Sequence, residues 1–191
     1  MSKILIGNWL MVLCSICYLA WWLIVFKPPA PKGNFVGTVF LILAFVTGIG
    51  GVFFTIKEMA APTEEMQTRG VSGMLIIACG IVLYIALLAM TKVMFHRQVT
   101  SELFIITGWV VLEAAICNYM YSLGVFSVRE AVILAAVVLI VGIISLVCYV
   151  LYYDLPYVKG FIDGCIPLVL VMIVMIVVNV KIIIRTFSEL Y

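Results

Sequence analysis

The chain has 191 residues, 66% of them hydrophobic and 10% charged, with a formal net charge of +2. Soluble domains carry roughly 25% charged and about 45–50% apolar residues, and a chain this short has no interior large enough to hide such an apolar excess from water. A soluble enzyme, a nucleic-acid binder and a disordered tail are excluded, and an all-α integral membrane protein remains.

A helix needs about 20 mainly apolar residues to cross roughly 30 Å of hydrocarbon. Six stretches reach that length: Ile4–Phe26, Phe35–Ile56, Val71–Thr91, Leu103–Phe126, Ala131–Tyr153 and Cys165–Ile184. Their connections are too short for a soluble domain, so residues 1–191 read as a single membrane domain, a six-transmembrane-helix bundle. Strands of a membrane barrel would instead show short runs alternating apolar and polar residues.

In the first span, Asn8, Ser15 and Trp22 recur every seven residues along one face, a pattern that more often joins helices than binds ligands. Cys14 and Cys17 have the spacing of a redox pair, but inside an apolar helix they read as two small packing residues. The stretch is too long for a signal peptide and no small-x-small cleavage site follows it, so an uncleaved helix is expected. Pro28, Pro29 and Pro31 break the first connection, and Asn34 is placed to cap the second helix. Within that helix, Gly48-Ile-Gly50-Gly51 allows close helix approach.

Thr63, Glu64 and Glu65 put a hydroxyl and then acids ahead of the third span, as a helix start favours. Glu64-Glu65-Met-Gln-Thr-Arg69 also resembles the EExxxR motif of the CAAX-type prenyl protease (Abi) family over six residues. That resemblance implies an intramembrane enzyme with histidines on two later helices. The single histidine here, His96, stands in a loop beside Arg97, so the segment reads as a helix start. Thr100, Ser101 and Glu102 repeat the hydroxyl-and-acid pattern before the fourth span.

Glu113 lies near the middle of that fourth span, and ionisable groups at membrane depth are costly and face protein or a cavity. At 100° per residue, Glu113, Cys117, Tyr121 and Asn118 fan over about 140° of the helix, with Trp109 one turn before Glu113. This polar and aromatic stripe is the candidate ligand site. Glu113 would carry a proton or bind a cationic or hydroxylated ligand; otherwise its carboxyl bonds a neighbouring helix.

Ser127-Val-Arg-Glu130 has capping-box spacing before the fifth span, which ends in Tyr149, Tyr152, Tyr153 and Tyr157, an interfacial belt. Pro156 falls in the next connection, and Pro167 is expected near the start of the sixth span. Lys181 and Arg185 stand one turn apart near that span's end, where snorkelling accounts for both cations. A Glu113–Lys181 ion pair is the alternative. Asn179 points away from Lys181, so only one of the two can face the interior.

With six spans both termini lie on one side. That side carries six cations against five on the other, and the positive-inside rule leans toward cytoplasmic termini in an inner or plasma membrane. Counting Lys181 as intramembrane ties the sides and leaves insertion in both directions open. Aligning Ile4–Phe26 with Phe104–Phe126 gives seven identities in 23 positions, including Trp9/Trp109 and Cys17/Cys117. Chance between apolar helices and a 3+3 inverted repeat, the arrangement of many transporters, both remain open.

Six spans in this length are similar in size to the substrate-binding S-components of energy-coupling-factor vitamin transporters. The AxxxA pattern of an early helix there occurs here only late, at Ala131 and Ala135. Nucleotide-binding loops, serine triads and zinc clusters do not occur, so neither metal nor cofactor is expected. The leading expectation is a small-molecule transporter, channel or membrane solute-binding subunit with its site at Glu113, Asn118, Tyr121, Trp109 and Cys117. The alternatives are a membrane enzyme acting on a lipid or isoprenoid and a non-catalytic scaffold. Expected partners are the lipid bilayer, a small ligand or proton, and a second copy or another membrane subunit; nucleic acid is not expected.

Overall fold

The computed structural model describes residues 2–29, 31, 33–60, 70–94 and 101–188. These form six helices and, among the described residues, no strand: α1 (Ser2–Val25), α2 (Phe35–Met59), α3 (Gly73–Met94), α4 (Ser101–Ser122), α5 (Val128–Tyr152) and α6 (Tyr157–Ser188). Each is long and apolar enough to cross a membrane. Their outward surfaces carry large apolar side chains such as Phe45, Val82 and Val93, the reverse of what water favours and compatible with a multi-pass membrane protein.

The predicted caps form as the residue types demand. Asn34, extended at φ −140° and ψ 137°, accepts the Val36 N–H at 3.0 Å and starts α2. At α5 the capping box closes in both directions: Ser127 N–H donates to Glu130 Oε2 at 3.0 Å, and Glu130 N–H donates to Ser127 Oγ at 3.3 Å. Glu102 lies in the first turn of α4. Thr63 to Glu65, the Glu64–Arg69 motif, His96, Arg97 and Thr100 lie outside the described residues.

Two span ends differ from expectation. The fourth apolar run continues to Phe126, but the helix stops at Ser122, because Gly124 at φ +79° turns the chain and Phe126 N–H bonds back to the Met120 carbonyl at 3.2 Å. The sixth helix begins at Tyr157 rather than Cys165, and Gly160 N–H bonds to the Pro156 carbonyl at 2.9 Å. Lys159 and Asp163 made those first turns look like a loop. Pro167 is therefore inside α6, where it has no N–H for the carbonyl of Asp163 four residues back.

The helices group into two compact units, one of α1, α2 and α6, the other of α3, α4 and nearly all of α5. In the first, α1 and α2 run antiparallel and small residues let them touch. Buried Gly37, Ala44 and Gly51 recur every seven residues on α2, with buried Thr55 one turn further. A Cβ on Gly51 would stand 2.7 Å from Met11 Cγ and 2.8 Å from the Gly7 carbonyl oxygen. Gly48 faces the Cys14 thiol, while Gly50 meets only Leu10. α6 packs antiparallel on α1 from the other side: Trp22 Nε1 donates to the Phe161 carbonyl at 3.0 Å, and Tyr157 OH donates to the Phe26 carbonyl at 2.8 Å.

In the second unit, α4 is held by close contacts on two sides. A Cβ on Gly80 of α3 would come 2.6 Å from Val111 Cγ2, and one on Gly142 of α5 would come 2.5 Å from Val110 Cγ2. Half of α4's membrane-length window is buried, a larger share than in any other helix.

Candidate functional site

The buried face of α4 follows helical periodicity: Trp109, Leu112, Glu113, Ile116, Cys117 and Met120 lie within about 140° of one another. Glu113 has 0% exposure, and neither carboxylate oxygen has a hydrogen-bond partner among the described residues. One turn earlier on the same face, the buried Trp109 indole N–H is also unpartnered, and Cys117 is buried one turn later. An acid and a fixed N–H donor thus share one stripe of a helix whose other buried positions are mostly apolar.

Asn118 and Tyr121 stand elsewhere on the helix. Asn118 lies about 140° around α4 from Glu113, within about 20° of Val111, the residue that packs on Gly80 of α3. Both ends of its amide bond the segment entering α3: Val71 N–H donates to Oδ1 at 2.9 Å, and Nδ2 donates to the Val71 carbonyl at 2.8 Å. Gly70, at φ +92°, makes room for this clasp, since a Cβ there would stand 3.0 Å from Asn118 Oδ1. Tyr121 is half-buried on the flank between these two directions. The expected site residues thus divide into a buried set, Trp109, Glu113 and Cys117, and a peripheral pair.

Other buried hydroxyls of this unit bond within their own helices, Thr107 to the Leu103 carbonyl at 2.9 Å and Ser145 to the Val141 carbonyl at 2.8 Å. Their partners are in place; Glu113 and Trp109 have none among the described residues. Among the described residues no cluster of His, Cys, Asp and Glu could hold a metal ion. Cys14 and Cys17 form no disulfide with each other, and none joins the other four cysteines.

The α1–α2–α6 unit holds two features with chemical content. Trp22, Phe26, Tyr152, Tyr153, Tyr157 and Phe161 line a pocket of about 200 Å³ at the C-terminal end of α1. Near the other end of α1, Asn8, Thr55 and Asn179 are fully buried, and the sequence had marked Asn8 only as a helix-joining residue and Asn179 only as an alternative to Lys181. Asn179 is the one that turns inward. Thr55 carried no sequence signal at all, because a lone threonine beside a charged helix end resembles any interfacial residue.

No known protein family, curated protein or solved structure matches this chain.

Proposed function

We propose that this protein spans the membrane six times and binds a small polar solute or a proton at Glu113 as a transporter, channel or solute-binding subunit. One observation carries the reading: a fully buried carboxyl in mid-helix whose two oxygens have no hydrogen-bond partner among the described residues. An unpartnered buried acid is costly, and a guest that completes its hydrogen bonds would offset that cost. The Trp109 N–H beside it would supply a donor to the same guest, which favours a solute carrying both an acceptor and a proton-bearing or cationic group. Cys117 would line the site, and Tyr121 would border it. Placement in the inner or plasma membrane with cytoplasmic termini belongs to the same proposal.

The enzyme alternative is less well served. General acid–base work on a lipid needs a second positioned polar group at the depth of Glu113, and Asn118 is committed to Val71. The test is an uptake screen in proteoliposomes with wild type, Glu113→Gln and Glu113→Asp, run over cationic, hydroxylated and proton-coupled solutes. A solute moved by wild type and lost in Glu113→Gln supports the proposal. Equal uptake by wild type and Glu113→Gln of every solute that is moved contradicts it.

A further inference from the structure

The second group of unpartnered polar side chains lies wholly within the α1–α2–α6 unit and shares no residue or helix with Glu113. Asn8, Thr55 and Asn179 each have 0% exposure. Both amide atoms of each asparagine and the Thr55 hydroxyl have no hydrogen-bond partner among the described residues. Three helices thus each bring one uncharged polar group into the interior and leave it unsatisfied.

Helix register puts the three at one level. On α2, the Thr55 hydroxyl lies directly against Gly7, the neighbour of Asn8. On α6, Trp22 meets Phe161 and Gly164, so stepping back along α1 to Asn8 corresponds to stepping forward on antiparallel α6 to residues 175–178. Asn179 is within one turn of that level, about 5 Å. Glycine is what permits the approach: a Cβ on Gly7 would strike the Thr55 hydroxyl and stand 2.8 Å from the Gly51 carbonyl oxygen. The same register places Lys3, Glu58 and Lys181 in a charged layer about 3–7.5 Å nearer the helix ends, and Lys3 Nζ is 3.7 Å from Glu58 Oε2. The three groups thus lie between about half a turn and a turn and a half beneath a polar surface, Asn8 deepest at about 7.5 Å and Asn179 shallowest at about 3 Å.

The chemistry of the set defines its guest. Two carboxamides and a hydroxyl offer donors and acceptors in equal measure and no charge. A bare cation would leave both NH2 groups unsatisfied, and an anion would leave both carbonyl oxygens so. We propose that Asn8, Thr55 and Asn179 form a second binding site, for a small uncharged solute that both donates and accepts hydrogen bonds, a polyol or a carboxamide, entering past the Lys3–Glu58 layer.

The test is the re-swelling rate of proteoliposomes after an osmotic step with glycerol or urea, followed by light scattering. Wild type is compared with Thr55→Val, Asn8→Leu and Glu113→Gln, each first checked for wild-type thermal stability; Thr55→Val changes shape least and serves if Asn8→Leu does not fold. Wild type should re-swell faster than protein-free vesicles, and Thr55→Val should remove about tenfold of that protein-dependent rate, the factor expected of one lost hydrogen bond to the guest. Glu113→Gln should keep it, which separates this site from the one proposed above. Re-swelling at the protein-free rate overturns the inference, as does acceleration of water shrinkage alone. A rate lost in Glu113→Gln but kept in Thr55→Val would assign the solute to Glu113 and overturn it as well.

Discussion

Replacing Asn118 with alanine separates a structural clasp from a ligand contact. The substitution removes two hydrogen bonds, Val71 N–H to Oδ1 at 2.9 Å and Nδ2 to the Val71 carbonyl at 2.8 Å, which tie the entry of α3 to α4. Each is worth about 0.5–1.5 kcal/mol net, and water can reach the freed Val71 groups, so no further burial penalty applies. The loss is therefore about 1–3 kcal/mol. For a chain of this size that lowers the melting temperature by roughly 2–4 °C per kcal/mol, or about 6 °C at the centre of the range. The readout is built in: the thiols of Cys17, Cys117 and Cys148 are buried and outside any disulfide, so a thiol-reactive fluorophore reports unfolding in detergent above the immediate signal of exposed Cys79. Gly70→Ala should act in the same direction, through its positive φ and the 3.0 Å approach to Oδ1. An unchanged melting temperature in Asn118→Ala, with solute uptake abolished, would refute the clasp and return Asn118 to the ligand site.

Three further outcomes follow from the packing and caps. Gly51→Val forces a methyl-bearing side chain against Met11 and the Gly7 carbonyl; it should destabilise by about 1–3 kcal/mol, read as a lower melting temperature. Gly108→Ala, where an added Cβ meets nothing within 4 Å, should instead be neutral or raise stability by up to about 1 kcal/mol in the same assay. Ser127→Ala opens the capping box of α5 and should cost about 0.5–2 kcal/mol, with amide exchange rising first at residues 128–131.

Much of the architecture was legible because apolar length and caps are local properties. Asn34 and Ser127-x-x-Glu130 announced their helices from side-chain chemistry alone, and each of the six apolar runs overlaps one helix. The ends that moved did so for reasons hydropathy does not carry. Gly124 stops α4 inside an apolar run, and α6 starts within a charged stretch. The stripe on α4 was half legible. Periodicity found Glu113, Trp109 and Cys117, but a fan of about 140° spans two directions on a helix, and only packing shows that Asn118 looks toward α3. Thr55 and Asn179 were hidden because their meaning depends on register between helices far apart in sequence. The 100-residue match has a similar limit: Trp109 is 5% exposed while Trp9 is 42% exposed, so identical letters occupy unlike surroundings.

The claim that Glu113 meets a guest is tested most directly by an experimental structure of the reconstituted protein at a resolution that shows ordered solvent. The account predicts density for water or solute within hydrogen-bond distance of a Glu113 carboxylate oxygen and of the Trp109 indole nitrogen. A carboxyl enclosed on every side by apolar side chains, with no such density, would contradict it.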